Sequence, residues 1–125
     1  MGIVANDFLS FAENIFSEET EINHRNAASR AYYAAFHYCL PITEILDESS
    51  EKDGGVHAKT YNKLIRSFDL KLKQIGYMLK QCCGIRVRAD YDLEGDFSRS
   101  DGELAIKQVK RIIDRVLELE PKDKI

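Results

Sequence analysis

Breakers of secondary structure are scarce in this 125-residue chain, with two prolines and seven glycines. So few leave long stretches in which a helix can run on, and the ones present punctuate it. No segment alternates apolar and polar residues with the period of two that a half-buried strand needs, and no internal repeat is visible. No apolar run approaches the roughly 20 residues of a membrane-spanning helix. The opening MGIVANDFLSF lacks the basic segment and long apolar stretch of a secretory signal. Cysteine is limited to Cys39, Cys82 and Cys83. Adjacent cysteines on a helix point about 100° apart, and no second pair stands at zinc-ligand spacing. All three read as reduced core thiols of a cytoplasmic protein, with no metal or other cofactor expected. An excess of basic charge is also missing, the formal net charge being −3. That excludes a wholly basic nucleic-acid binder and leaves room for a local basic patch.

What is present is helical periodicity. Apolar residues make up 44% of the chain and charged residues 31%, which suits one helical domain over residues 1–125. Phe8, Leu9, Ala12, Ile15 and Phe16 form the stripe of a first helix over 5–16, with Asn6 or Asp7 as its cap. A second helix starts near Ile22 and carries Ala28, Ala31, Tyr32, Ala35, Phe36 and Cys39; Pro41 is expected either to end it or to kink it, with ITEIL continuing it after the kink. The segment DESSEKDGGV reads as a loop over 47–56. A third helix is expected over 57–68 and a fourth from Leu70 through Cys82 or Cys83, with Gly84 weakening its continuity. After the polar stretch DLEGDFSRSDGE, Ser100 or Asp101 caps a last helix that reaches about Glu120. Its stripe is Leu104, Ile106, Val109, Ile112, Ile113, Val116 and Leu117, and Pro121 closes it ahead of a frayed tail over 120–125. The expectation is an all-α, up-and-down bundle of four to five helices.

Two segments carry a family resemblance. The first is Arg25-Asn26-Ala27-Ala28-Ser29-Arg30-Ala31-Tyr32-Tyr33-Ala34-Ala35-Phe36-His37, and the second is Arg86-Val87-Arg88-Ala89-Asp90-Tyr91-Asp92. Between them lies Gly55-Val56-His57-Ala58-Lys59. In order and separation these are similar to small stand-alone prokaryotic members of the HEPN superfamily, over about residues 22–118. The resemblance implies a bundle of four or five helices and a homodimer whose ligand is RNA or a nucleotide. It further implies a metal-independent ribonuclease, the toxin of a toxin–antitoxin or anti-phage system. The alternative it implies is a non-catalytic RNA- or nucleotide-binding or dimerisation module that partners a nucleotidyltransferase. Such ribonucleases carry an arginine, a polar residue and then a histidine after four to six intervening residues. Arg86 matches the arginine, Val87 stands for the polar residue, and Tyr91 lies where the histidine is often found. Histidine exchanges a proton near neutral pH, whereas an unperturbed tyrosine has a pKa near 10. The implied catalytic set is therefore Arg86, Asp90 and Tyr91.

The residues themselves speak to the same chemistry. Arg86 and Asp90 are four apart and share a helix face, either as part of a site or as an ordinary ion pair worth roughly 0.3–0.5 kcal/mol. Arg88 and Tyr91 are three apart and can share another face. An arginine fork suits phosphate oxygens and a neighbouring tyrosine can stack on a base. Arg30 and Tyr33 are also three apart. Because a buried unpaired charge is expensive, Arg30 either reaches the Arg86 cleft or pairs with a carboxylate such as Asp90. His24 reads as solvated and His37 as a core or rim residue. His57 opens a helix after two glycines, as a substitute acid or base, as an anion-binding group or as an N-terminal cap. Lys59, Lys63 and Arg66 follow at helical spacing, a basic strip for phosphates or a solvated face.

Overall fold

A computed structural model describes residues 2–46 and 54–119 of the chain. Among them are five α-helices and no strand: α1 (Ala5–Phe16), α2 (Glu21–Ile45), α3 (Val56–Ile65), α4 (Leu70–Tyr91) and α5 (Arg99–Leu117). The fold is the expected all-α bundle. No helix is long and apolar enough to cross a membrane. Residues 47–53 of the expected first loop, and 120–125 with Pro121 and the expected frayed tail, lie outside the described residues.

Four of the five described helices begin where a side chain offers an acceptor for a free N–H, α3 behind Gly55 being the exception. The Asp7 carboxylate accepts from the Val4 N–H at 2.9 Å, so Val4 is the first flanking residue rather than Asn6 or Asp7. Thr20 Oγ1 accepts from Asn23 N at the head of α2. Asp69 Oδ1 accepts from Lys71 N at the head of α4. For α5 the cap is Ser98 rather than the expected Ser100 or Asp101. Its Oγ accepts from Asp101 N, and Asp101 Oδ2 accepts in return from Ser98 N at 2.8 Å. Those bonds, the Ser98 backbone N–H foremost, hold the Asp101 carboxyl below its usual value even against its burial, with Arg88 helping.

Helix α2 runs through Pro41 to Ile45, the continuation over ITEIL that is one of the two expectations, while α3 and α5 end earlier than expected, α5 at Leu117 rather than about Glu120. Pro41 and His37 are both exposed, so the carbonyl that loses its partner one turn back lies on the solvent side, where water can replace the bond. Helix α3 stops at Ile65 instead of Phe68. Phe68 is fully exposed and adds nothing to a buried stripe, while Ser67 Oγ accepts from Asp69 N to start the next helix.

Helix α2 is the centre of the bundle and packs on each of the other four. Its alanines at 27, 31, 34 and 35 are sealed from solvent and let neighbours approach closely. Leu9 and Ala12 of α1, Leu64 of α3, Leu72, Ile75 and Leu79 of α4, and Val109, Ile112 and Val116 of α5 complete the core. Two glycines set the closest approaches. A Cβ on Gly76 would stand 2.7 Å from the Ile65 nitrogen and 2.8 Å from Leu64 Cβ, so α4 crosses α3 at backbone distance. A Cβ on Gly102 would stand 2.9 Å from Phe16, so α5 begins tight against α1.

Candidate functional site

Two segments of the chain, one turn after turn of α2 and the last two turns of α4, meet along a polar seam. It is built from the outside in by Arg25, Ser29, Arg30, Tyr32 and Tyr33 on α2 and by Cys83, Arg86 and Asp90 on α4. The spacing of three and four keeps each set on one face.

Arg25 fastens the seam. It is buried, yet every arm of its guanidinium has a partner. Nε donates to Glu21 Oε2 at 3.0 Å, and Nη1 donates to the carbonyls of Arg88 and Ala89 at 3.3 and 3.0 Å. Nη2 donates to the Gly95 carbonyl. At the end of α4 the Arg88 carbonyl accepts from Asp92 N, and no backbone N–H among the described residues reaches the Ala89 carbonyl. Arg25 supplies a partner from more than sixty positions away, and thereby fixes where Arg86, Asp90 and Tyr91 stand.

Arg86 lies one turn deeper. It is also buried. Nη1 reaches Asp90 Oδ2 at 3.5 Å, and Nη2 faces Cys83 Sγ at 3.9 Å. Its carbon centre stands 5.4 Å from the Tyr32 ring, 5.9 Å from Tyr33 and 6.0 Å from Tyr91. Its Nε is sealed from solvent without a hydrogen-bond partner. Asp90 Oδ2 also accepts from Ser29 Oγ at 3.1 Å, and Ser29 Oγ in turn accepts from Arg30 Nη2 at 3.2 Å. Arg30 lies 4.6 Å above the Tyr33 ring. Both expectations for Arg30 thus hold in part: it shares the Arg86 cleft, and it reaches Asp90 through Ser29.

On the far side of Tyr32 and Tyr33 sits His57, the second residue of α3. Gly55 is the flanking residue of that helix, so His57 is not its cap. Its Nδ1 lies 2.7 Å from the Tyr32 hydroxyl, and its ring packs against Tyr32, Tyr33 and Phe36 at 5.3, 5.7 and 4.7 Å. Burial lowers its pKa, and the charges of Arg86 and His37 lower it further, so the imidazole is neutral at pH 7. Burial likewise drives the Tyr32 phenol far above the usual tyrosine range, with Cys83 adding to the effect, so its hydroxyl keeps its proton.

Of the residues expected to form the site, Arg86, Asp90, Tyr91, Arg30, Tyr33 and His57 come together. Two do not. Arg88 turns its guanidinium to α5, 3.5 Å from Asp101 and 5.6 Å from the Phe97 ring. Lys59 is exposed and has no side-chain bond among the described residues. Its intended companion Lys63 donates to the Thr43 carbonyl at the end of α2. His24 is buried rather than solvated, against Phe16 at 5.5 Å, with Nε2 unpartnered. His37 stacks on Phe8 at the rim. The seam also holds residues that sequence reading left among core or motif positions: Arg25, Ser29, Tyr32 and Cys83. Their signal was present in the regular spacing of polar atoms along 25, 29 and 32.

The other two thiols belong to the core. Burial pushes both Cys39 and Cys82 up to about 12. No group of three or more histidines, cysteines or carboxylates able to hold a metal ion is found among the described residues.

Set against protein-family models, curated proteins and solved structures, the chain matches none.

Proposed function

We propose that this chain is an RNA-directed protein of the HEPN type, a metal-independent ribonuclease with the Arg86 cluster as its phosphate site. One observation carries the reading. Two guanidiniums, Arg30 and Arg86, face the same Tyr33 ring, and a single carboxylate, Asp90, stands with them. The cluster keeps a net positive charge beside half-exposed and exposed aromatic rings. A phosphate answers that charge, with bidentate arginine contacts, and a base answers the rings by stacking. The RNA's own 2′-hydroxyl is the nucleophile, so neither a metal nor a covalent enzyme intermediate is required. The resemblance brings a homodimer with it, and the setting of a toxin–antitoxin or anti-phage system.

A second reading, binding without cleavage, is favoured by Tyr91. It is 72% exposed, with the Arg86 guanidinium 6.0 Å from its ring, at the offset where a histidine would move protons. The two readings separate in one experiment: incubation with a labelled single-stranded RNA and its all-deoxy counterpart in excess chelator. Cleavage of the RNA alone supports the ribonuclease. Binding of both strands with neither cut supports the module. Binding to neither strand overturns both.

A further inference from the structure

The aromatic surface continues past the two arginines. The Arg86 guanidinium is 5.9 Å from the Tyr33 ring, and Arg30 lies over the same ring at 4.6 Å. The Phe8 ring of α1 follows at 6.2 Å from Tyr33. The His37 ring then stacks on Phe8 at 5.4 Å, with only 10° between the two planes. Buried Phe36 meets His37 edge-on at 5.3 Å and fixes its plane from the core side. The row therefore leads from α4 across α2 onto the head of α1. At its far end Phe8 and His37 line a cavity of about 400 Å³ together with Ile3, Val4 and Ala5. That size lies within the roughly 300–1,000 Å³ of small-ligand clefts. No carboxylate is among its lining residues, so nothing there repels an anionic strand. Seating α1 on α2 does not require this arrangement. Leu9 and Ala12 are the buried residues of α1 and supply its core contact, whereas His37 is exposed and Phe8 only half-buried.

From this arrangement we infer that the cavity at the head of α1 is a nucleobase subsite, in which a single strand held by a phosphate on Arg30 and Arg86 lays its neighbouring base on Phe8 and His37. The inference rests on the phosphate-site reading above and holds whether or not the strand is cut. The strand then crosses α2 over Tyr33 instead of following α4. Ring contacts of 5–6 Å join each step of that track, so no gap separates the charged end from the stacking end. Stacking requires only a π-face, so the subsite takes any of the four bases, and a purine, with its larger face, more strongly than a pyrimidine. Exposed Ile3 and Val4 gain apolar cover when the base enters. The chemistry is that of a platform for unpaired nucleotides, since a base in a duplex keeps its faces for its own neighbours.

The test is fluorescence anisotropy of a short labelled single-stranded RNA, and of the same RNA with one abasic nucleotide at each position in turn, at several salt concentrations in excess chelator. The proteins are wild type, His37→Ala, Phe8→Leu and the Arg30→Gln, Arg86→Gln double variant. His37→Ala is expected to weaken binding of the intact RNA about tenfold, the value of one lost stack. Phe8→Leu, which keeps apolar volume and removes the flat face, should do about the same. The slope of log affinity against log salt should stay at its wild-type value in both, because no phosphate contact is lost. One abasic position should weaken wild type by a similar factor, and on that RNA His37→Ala should cost nothing more. Rings that merely hold α1 in place would instead cost the same on intact and abasic strands, and that result overturns the inference. Binding by both ring variants within twofold of wild type, with the arginine double variant weakened, overturns it and leaves the phosphate site standing. Absence of RNA binding by the wild-type chain removes both the inference and the reading beneath it. Should melting curves show Phe8→Leu unfolded, His37→Ala, altered at an exposed position, decides alone.

Discussion

Replacing Arg25 by methionine tests how the seam is held. Methionine fills much the same volume and donates nothing. Of the four acceptors it abandons, Glu21 is half-exposed and rehydrates. The Arg88 carbonyl still accepts from Asp92 N at 3.1 Å. The Ala89 and Gly95 carbonyls are the ones stranded, because Leu93 N–H turns to the Tyr91 carbonyl rather than to Ala89. A buried acceptor left without a partner costs about 1–3 kcal/mol. Two such losses are offset in part by no longer burying a guanidinium. A net loss of roughly 2–4 kcal/mol follows, a large share of the roughly 5–15 kcal/mol that holds a domain of this kind together. For a chain of this length that lowers the melting temperature by about 10 °C. Urea denaturation followed by circular dichroism measures it, and amide exchange should show protection lost first at residues 88–92. Arg25→Lys, with one point charge in place of a fork, should recover less than half of the loss. A methionine variant within about 0.5 kcal/mol of wild type, the range of an ordinary surface substitution, would refute the clamp.

Gly76→Ala should cost about 1–3 kcal/mol, since its Cβ would meet the Ile65 backbone, whereas Gly84→Ala, with nothing within 4 Å of the new methyl, should gain about 0.5–1 kcal/mol; paired denaturation curves check both. His57 has a folded-state pKa below its unfolded value. The stability it contributes is therefore present above pH about 6.5 and is lost as pH falls through the lowered value, so stability should decline between neutral and mildly acid pH, and His57→Gln should flatten that decline. Nuclear magnetic resonance titration of the same ring should move its midpoint upward in Arg86→Met, because one of the charges that lowers it is gone. Cys39 and Cys82, with thiols pushed up to about 12, should resist an aromatic disulfide reagent at pH 8 until the chain is unfolded, as stopped-flow absorbance would show.

The helices were legible because their signal is local. Residues 5–16 form α1 as the apolar stripe requires, and Leu70 begins α4 as expected. Phe68 misled, and Pro41 left two outcomes open, because a helix end depends on which face meets water, and that is decided by the partners of the helix. His24 misled for the same reason: its burial requires α5 to begin against α1, through Gly102, almost eighty residues away. The site was legible in the pairs three and four apart, Arg86 with Asp90 and Arg30 with Tyr33. Arg88 shows the limit of that rule, since a residue between two faces goes to whichever neighbour carries the better partner, here Asp101. The Tyr32–His57 bond and the reach of Arg25 to three carbonyls join residues at least 25 positions apart, and periodicity does not report such contacts.

The central claim is that Arg30 and Arg86 form a phosphate site for RNA. Its most direct test is the fluorescence anisotropy of a labelled single-stranded RNA titrated with wild type and with the Arg30→Gln, Arg86→Gln double variant at several salt concentrations in excess chelator. Two lost phosphate contacts should weaken affinity at least tenfold and reduce the slope of log affinity against log salt by about 1.4, or about 0.7 per contact on a single strand. A folded double variant that binds the RNA with wild-type affinity and wild-type salt slope would contradict the account.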